Sequence, residues 1–240
     1  MENRFEREEW LIGADAVEKL KNARVALFGV GGVGSYAAEA LARSGVGYIE
    51  LIDNDTVSVT NINRQLCALT STVGRPKVEV VSERIKDINP SATVVPRREF
   101  FLPETKDTFD FSKYDFVIDA IDTVSGKLAI VECCHTVGTP VISCMGTGNK
   151  LDPTAFKVTD ISKTSVCPLA RVMRRELKKR GITHLKVVYS EEIAKKSVGV
   201  GENGKPLPAS IAFVPPIAGL IAASEAVKTI IGCDGYKKEN

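Results

Sequence analysis

No two of the six cysteines, Cys67, Cys133, Cys134, Cys144, Cys167 and Cys233, are separated by just two residues. The Cys-x-x-Cys spacing of a structural zinc site is therefore missing. In a reducing compartment most of the thiols are expected to be free and buried, with Cys167 the one to weigh separately. Low-complexity tracts and solenoid-period repeats are also absent, which excludes a repeat array and long disordered segments. Behind the charges of Met1 to Arg7 there is no apolar run, so no secretory signal is read there, and a cytoplasmic protein is expected. The most apolar stretch, 209–231, contains Pro215, Pro216, Glu225 and Lys228. Such residues are costly inside lipid, so a buried core helix is expected there rather than a membrane span.

What is present suits one large α/β domain, or one domain with a small extension, in a chain of 240 residues that is 44% hydrophobic and 26% charged. Arg24 to Phe28 reads as a short buried strand. The loop Gly29-Val30-Gly31-Gly32-Val33-Gly34 follows, then a small-residue helix from Ser35 to Ser44 ended by Gly45. A second strand, Tyr48 to Ile52, delivers Asp53 at its carboxyl end. Val78, Val81 and Ile85 mark a helix over 76–88, and Thr93 to Pro96 a third strand. Phe116 to Ala120 and Pro140 to Cys144 are two further strands, with a helix between them over 127–137. This alternation predicts a Rossmann-like α/β fold: a mostly parallel twisted sheet with helices on both faces, extended by a smaller C-terminal part with additional strands.

Two parts are expected, a nucleotide-binding core over 1–150 and a C-terminal extension over 151–240. The extension holds an amphipathic basic helix over 168–180, a mobile polar loop at about 191–208 and a closing core helix over 216–230. Net charge is only +2, yet 157–196 carries eleven Lys/Arg against four Asp/Glu. A polyanionic partner is the reading of that asymmetry; a solvated charged helix is the plain alternative.

A glycine loop between a strand and a helix lets backbone N–H groups approach phosphate, aided by the helix dipole. Asp53, nineteen residues past Gly34, is placed to accept from ribose hydroxyls. So far NAD, FAD and ATP all fit. The segment Asp53-Asn54-Asp55 to Asn61-Ile62-Asn63-Arg64-Gln65 and the following Lys77 favour a triphosphate, because Arg64 and Lys77 can neutralise charge developing on phosphates. Asp122, at the end of Asp119-Ala120-Ile121-Asp122, could hold Mg²⁺. His135 is expected to pack in the core and His184 to lie on the surface.

Gly29 to Ser35, Asp53 to Gln65, Gly74-Arg75-Pro76-Lys77 and Asp119 to Thr123 resemble the adenylation domain of the ubiquitin-activating-enzyme-like ThiF/MoeB superfamily. The resemblance implies an ATP site that includes Gly29, Gly31, Gly32, Gly34, Asp53, Asp55, Asn61, Arg64, Lys77, Asp122 and Thr123, with Mg²⁺ at Asp122. It further implies a homodimer in which Arg7 reaches the other protomer's ATP, so that Arg7, Arg64, Lys77 and Asp122 form the reactive set. The reaction it implies is attack of a carboxylate on the α-phosphorus, with release of pyrophosphate and formation of an acyl-adenylate.

Family members that activate ubiquitin-like sulfur carriers commonly have two Cys-x-x-Cys pairs, which this chain lacks. Asp160 to Ala170, followed by Arg171 to Gly181, instead resembles the branch of tRNA threonylcarbamoyladenosine dehydratases. That likeness implies a tRNA substrate whose own atoms close the ring. Arg171, Arg174, Arg175, Lys178 and Lys179 are its candidate tRNA contacts. The alternatives are adenylation of a sulfur carrier's C-terminal glycine and a nucleotide-binding scaffold without chemistry. A sulfur-transfer partner is a further possibility. Cys167 is either an acyl-accepting thiol or simply the start of a helix beside Pro168.

Overall fold

The computed structural model describes residues 3–199, 204 and 207–233. One seven-stranded sheet organises them: β1 (Arg24–Phe28), β2 (Tyr48–Ile52), β3 (Thr93–Arg97), β4 (Phe116–Asp119), β5 (Val141–Cys144), β6 (Phe156–Asp160) and β7 (Lys186–Ser190). Their spatial order is β3-β2-β1-β4-β5-β7-β6. All neighbours are parallel except β6 and β7, which run antiparallel at one edge. The expected mostly parallel sheet is thus present, and the C-terminal strands join it.

Among the described residues seven α-helices accompany the sheet: α1 (Glu6–Ile12), α2 (Ala14–Asn22), α3 (Gly34–Arg43), α4 (Lys77–Ile88), α5 (Val124–Val137), α6 (Pro168–Lys179) and α7 (Val214–Ile231). Side chains alternate across a strand, and β1 shows the result. Val25 and Leu27 join an apolar cluster with α3, α4 and α7, while Ala26 and Phe28 join one with Phe101, Phe109, Phe111 and α5. Helices therefore cover both faces. A third cluster joins α5 to α6 through Leu128, Val131, Ala170 and Met173.

The apolar stretch near the C-terminus is a core helix as expected. α7 is long and apolar enough to cross a membrane, but Ala218, Ala222 and Ala226 are fully buried. At Gly219 a side chain would collide with the Val33 carbonyl, so the glycine permits close packing on α3. The helix starts two residues earlier than predicted because Pro215 and Pro216 sit in its first turn, where their missing N–H groups are not needed. α5 also starts early, at Val124.

One expectation fails. His135 is exposed, because the last turn of α5 leaves the core after Cys134. Most of the cysteines are free buried thiols as expected, namely Cys67, Cys134, Cys144 and Cys167, while Cys133 is half-buried and Cys233 exposed. Burial pushes the thiol of Cys67 up to about 11 and that of Cys144 up to about 12. His184 lies on the surface as expected, 3.3 Å from Asp160.

The segment predicted to be a mobile loop contains 200–203 and 205–206, which lie outside the described residues. Its flanks are fastened. Asn149, at φ +62°, accepts from the Lys195 N–H, and its side-chain oxygen accepts from the Ala209 N–H. The Glu192 carboxylate accepts from the N–H groups of Leu151 and Asp152.

Candidate active site

The sheet order reverses direction between β1 and β4, and the crevice at the carboxyl ends of such strands is where open α/β sheets hold ligands. The glycine loop lies there. Gly29 adopts φ +87°, and a side chain on it would come within 2.7 Å of the Ala120 carbonyl oxygen after β4. A side chain on Gly34 would overlap the Gly29 carbonyl, so the turn into α3 closes only with glycine at both positions.

Asp53 closes the loop from β2. One carboxylate oxygen accepts from the Val30 N–H at 2.7 Å and the other from the Asp55 N–H at 2.8 Å. The carboxylate has further acceptor sites, so a ribose hydroxyl can still be bound. Its first task is nonetheless to fix the loop, which the sequence did not reveal.

The segment after Asp53 folds back over the glycines. A Cβ on Gly32 would meet Pro215 at 3.1 Å and the Arg64 side chain at 3.4 Å, and one on Gly31 would meet Gln65 at 3.7 Å. The glycines thus keep a shallow cradle open under Arg64. Asn61 caps the short turn that carries Arg64, accepting from the Ser58 N–H at 3.0 Å. The Arg64 guanidinium donates to the Thr60 carbonyl and to Asn63, and has no ion pair among the described residues. Asn63 in turn donates to the Ser210 carbonyl, so it links this arginine to the segment entering α7. Lys77, the first residue of α4, is buried and donates to Asp55 at 2.7 Å.

Asp122 is exposed in the turn between β4 and α5, and Thr123 occupies the N-cap position of α5. No group of three or more metal-ligating side chains exists among the described residues. A single free carboxylate suits Mg²⁺, which keeps waters and takes phosphate oxygens beside one or two carboxylates.

Sequence reasoning missed one pair behind this turn. Lys127, fully buried, donates to both oxygens of fully buried Asp119 at 3.0 Å, to Ser143 and to the Cys144 carbonyl. A lysine just before the apolar run Leu128 to Val131 was the available signal. The pair ties the ends of β4 and β5 to the start of α5, and so positions Asp122.

Arg7 is not brought to its own chain's site. Phe5, at the start of α1, lies against Gly45, which precedes β2, and this is the amino edge of the sheet, opposite the glycine loop. Arg7 itself is exposed, as are Trp10 and Leu11 on the same helix.

Of the α6 cations, Arg174 is half-buried and donates to the Thr164 hydroxyl at 2.6 Å and to the Thr164 and Ile161 carbonyls. Lys179 and Arg175 pair with Glu176. Arg171 and Lys178 are exposed and make no side-chain bond among the described residues. Cys167 is buried at the N-cap position of α6.

Residues 5–240 match the ThiF family. The chain is 46% identical to tRNA threonylcarbamoyladenosine dehydratase of Bacillus subtilis over 243 residues, 96% of either chain. The fold is similar to the crystal structure of that dehydratase, TcdA, from Escherichia coli in complex with AMP, with a TM-score of 0.88 and 37% identity over 95% of this chain and 94% of that one. The same Escherichia coli protein in complex with ATP gives a TM-score of 0.86, again at 37% identity and over the same shares of the two chains. This chain belongs to the ThiF family.

Proposed function

We propose that the chain is an ATP-dependent tRNA threonylcarbamoyladenosine dehydratase. The observation that carries this reading is the near full-length likeness to dehydratases from two bacteria, on a chain whose glycine cradle is fixed by Asp53 and lies under Arg64. ATP lies with its phosphates over Gly31 and Gly32, and with its ribose toward Asp53. The threonylcarbamoyl carboxylate attacks the α-phosphorus, and pyrophosphate leaves. A nucleophile of the same modified nucleoside then closes the ring on the activated carbonyl and expels AMP, so that the substrate loses one water overall. Arg64 and Lys77 stabilise the charge that grows on the phosphates. Mg²⁺ held by Asp122 would neutralise phosphate charge. Cys67 remains a thiol at neutral pH, since burial pushes it up to about 11, and takes no part as a thiolate.

Arg7 completes the site of a second copy in a homodimer, as the family resemblance implies; its exposure leaves it free to do so. A cytoplasmic location fits an enzyme that acts on tRNA. The tRNA contact is the basic face of α6. A sulfur-transfer protein is a second candidate partner.

The test is pyrophosphate release from ATP with tRNA bearing threonylcarbamoyladenosine and with unmodified tRNA. Release that requires the modified tRNA, and that Asp122→Ala or Arg64→Ala abolishes, is expected. Exchange between ATP and pyrophosphate that requires a ubiquitin-like carrier and ignores tRNA would contradict the reading.

A further inference from the structure

Along α6 the residues Arg171, Arg174, Arg175 and Lys178 fall at i, i+3, i+4 and i+7, the spacing of one helix face. They line a groove of about 810 Å³ between α6 and the turn that precedes it, together with Val166, Pro168 and Val172. The four cations do not have the same task. Arg174 is held by Thr164 and Ile161 and shapes the wall, whereas Arg171 and Lys178 have no partner among the described residues, and Arg175 has only an exposed contact with its neighbour Glu176. Three cations spread over roughly 10 Å of helix therefore face the groove.

The turn that closes the groove is strained. Val166 has φ +42°, a region that branched side chains rarely enter, and the Cys167 N–H bonds back to the Ser165 carbonyl. The Val166 side chain is 53% exposed. Strain of this kind persists where the surroundings enforce it, and it gathers at ligand clamps. Here the turn presents an aliphatic side chain to the groove.

We propose that this groove binds a single-stranded segment of the tRNA, with successive phosphates on Arg171, Arg175 and Lys178 and an unstacked base against Val166 and Val172. The inference rests on the proposed function and specifies where the substrate is held outside the ATP crevice. An RNA duplex hides its bases and would meet α6 only through phosphates, leaving the apolar wall without purpose; a single strand offers phosphate and base face together. Placement supports the assignment. Cys167 and Ala170 from the start of α6 share an apolar cluster with Val124 and Leu128 of α5, the helix that begins immediately after Asp122 and Thr123. The groove is thereby fastened to the element that carries one side of the ATP site, so nucleotides flanking the reacting one can lie in it.

The experiment uses the full-length chain in two measurements. The first is the KM for modified tRNA, at several salt concentrations, of the wild type and of Arg171→Ala/Lys178→Ala. The second is binding of a fluorescent single-stranded RNA, and of the same sequence as a duplex, to those proteins and to Val166→Asp. The double variant is expected to raise the KM for tRNA at least about tenfold, with the loss falling on KM rather than on kcat, and to lower the salt slope by about 1.4 for two lost single-strand phosphate contacts. Val166→Asp should weaken single-stranded RNA at least about tenfold and change duplex binding little. An unchanged KM and salt slope in the double variant would overturn the proposal, as would equal binding of duplex and single strand that ignores Val166→Asp. Absence of tRNA-dependent turnover in the wild type would instead count against the functional reading, and the groove would then stand or fall on the oligonucleotide measurement alone.

Discussion

The Lys77 ammonium lies 2.7 Å from the Asp55 carboxylate, yet the two side chains have opposite surroundings: Lys77 is 6% exposed and Asp55 is 59% exposed. If Lys77 is removed, Asp55 simply returns to water, so the fold loses little. In the proposed ATP site, by contrast, the phosphates would lose a desolvated cation. Lys77→Met is therefore expected to unfold within about 1 kcal/mol of the wild type while kcat for pyrophosphate release falls at least about 100-fold. Denaturant titration and single-turnover kinetics check the two halves separately.

Lys127 and Asp119 should behave in the opposite way. Both are fully buried, and removing one leaves the other charge without a partner. Lys127→Met is expected to cost about 3–5 kcal/mol, measured by urea unfolding. Replacing Asp119 by Leu in the same chain should recover part of that loss, because no charge is then stranded.

The glycines separate a folding role from a binding role. Gly34→Ala drives a methyl into the Gly29 carbonyl and is expected to abolish soluble, cooperatively unfolding protein. Gly32→Ala meets only Pro215 and Arg64, at 3.1 Å and 3.4 Å. It should fold, and should raise the KM for ATP about tenfold or more by filling the cradle. Thermal unfolding and ATP titration distinguish the two.

Glu39 gives a pH-dependent term. Burial raises its carboxyl, but hydrogen bonds from Arg84 and Arg43 outweigh that and hold it below the usual carboxylate range. A carboxyl depressed in the folded state stabilises above its unfolded value, near 4.5, and that stability is lost as pH falls through the folded value. Glu39→Gln is expected to destabilise by roughly 1–2 kcal/mol at pH 7, with the difference from wild type shrinking below about pH 4. Urea unfolding across that range checks it.

Much of this architecture was legible because its signals are local. The runs Arg24 to Phe28 and Tyr48 to Ile52, punctuated by glycines, coincide with β1 and β2 residue for residue. The glycine loop and Asp53 were legible too, since they directly follow the ends of β1 and β2. Pairings that depend on tertiary packing were not. Asp53 spends its first hydrogen bonds on Val30 and Asp55, Lys127 reaches back to Asp119, and Asn63 bridges Arg64 to Ser210 across 147 residues. His135 was misplaced because apolar neighbours in sequence say nothing about which turn of a helix leaves the core. Nor could the local charge of 157–196 show which cations are free for a partner, since Lys157, Arg174, Lys179 and Arg180 are engaged within the chain.

The most direct measurement is mass spectrometry of nucleosides from tRNA carrying threonylcarbamoyladenosine, incubated with the purified chain and ATP, beside Asp122→Ala and Arg64→Ala. Loss of one water from that nucleoside, matched by AMP and pyrophosphate and missing in both variants, is the predicted result. An unchanged nucleoside with the wild type, or dehydration at full rate by Asp122→Ala, would contradict the account.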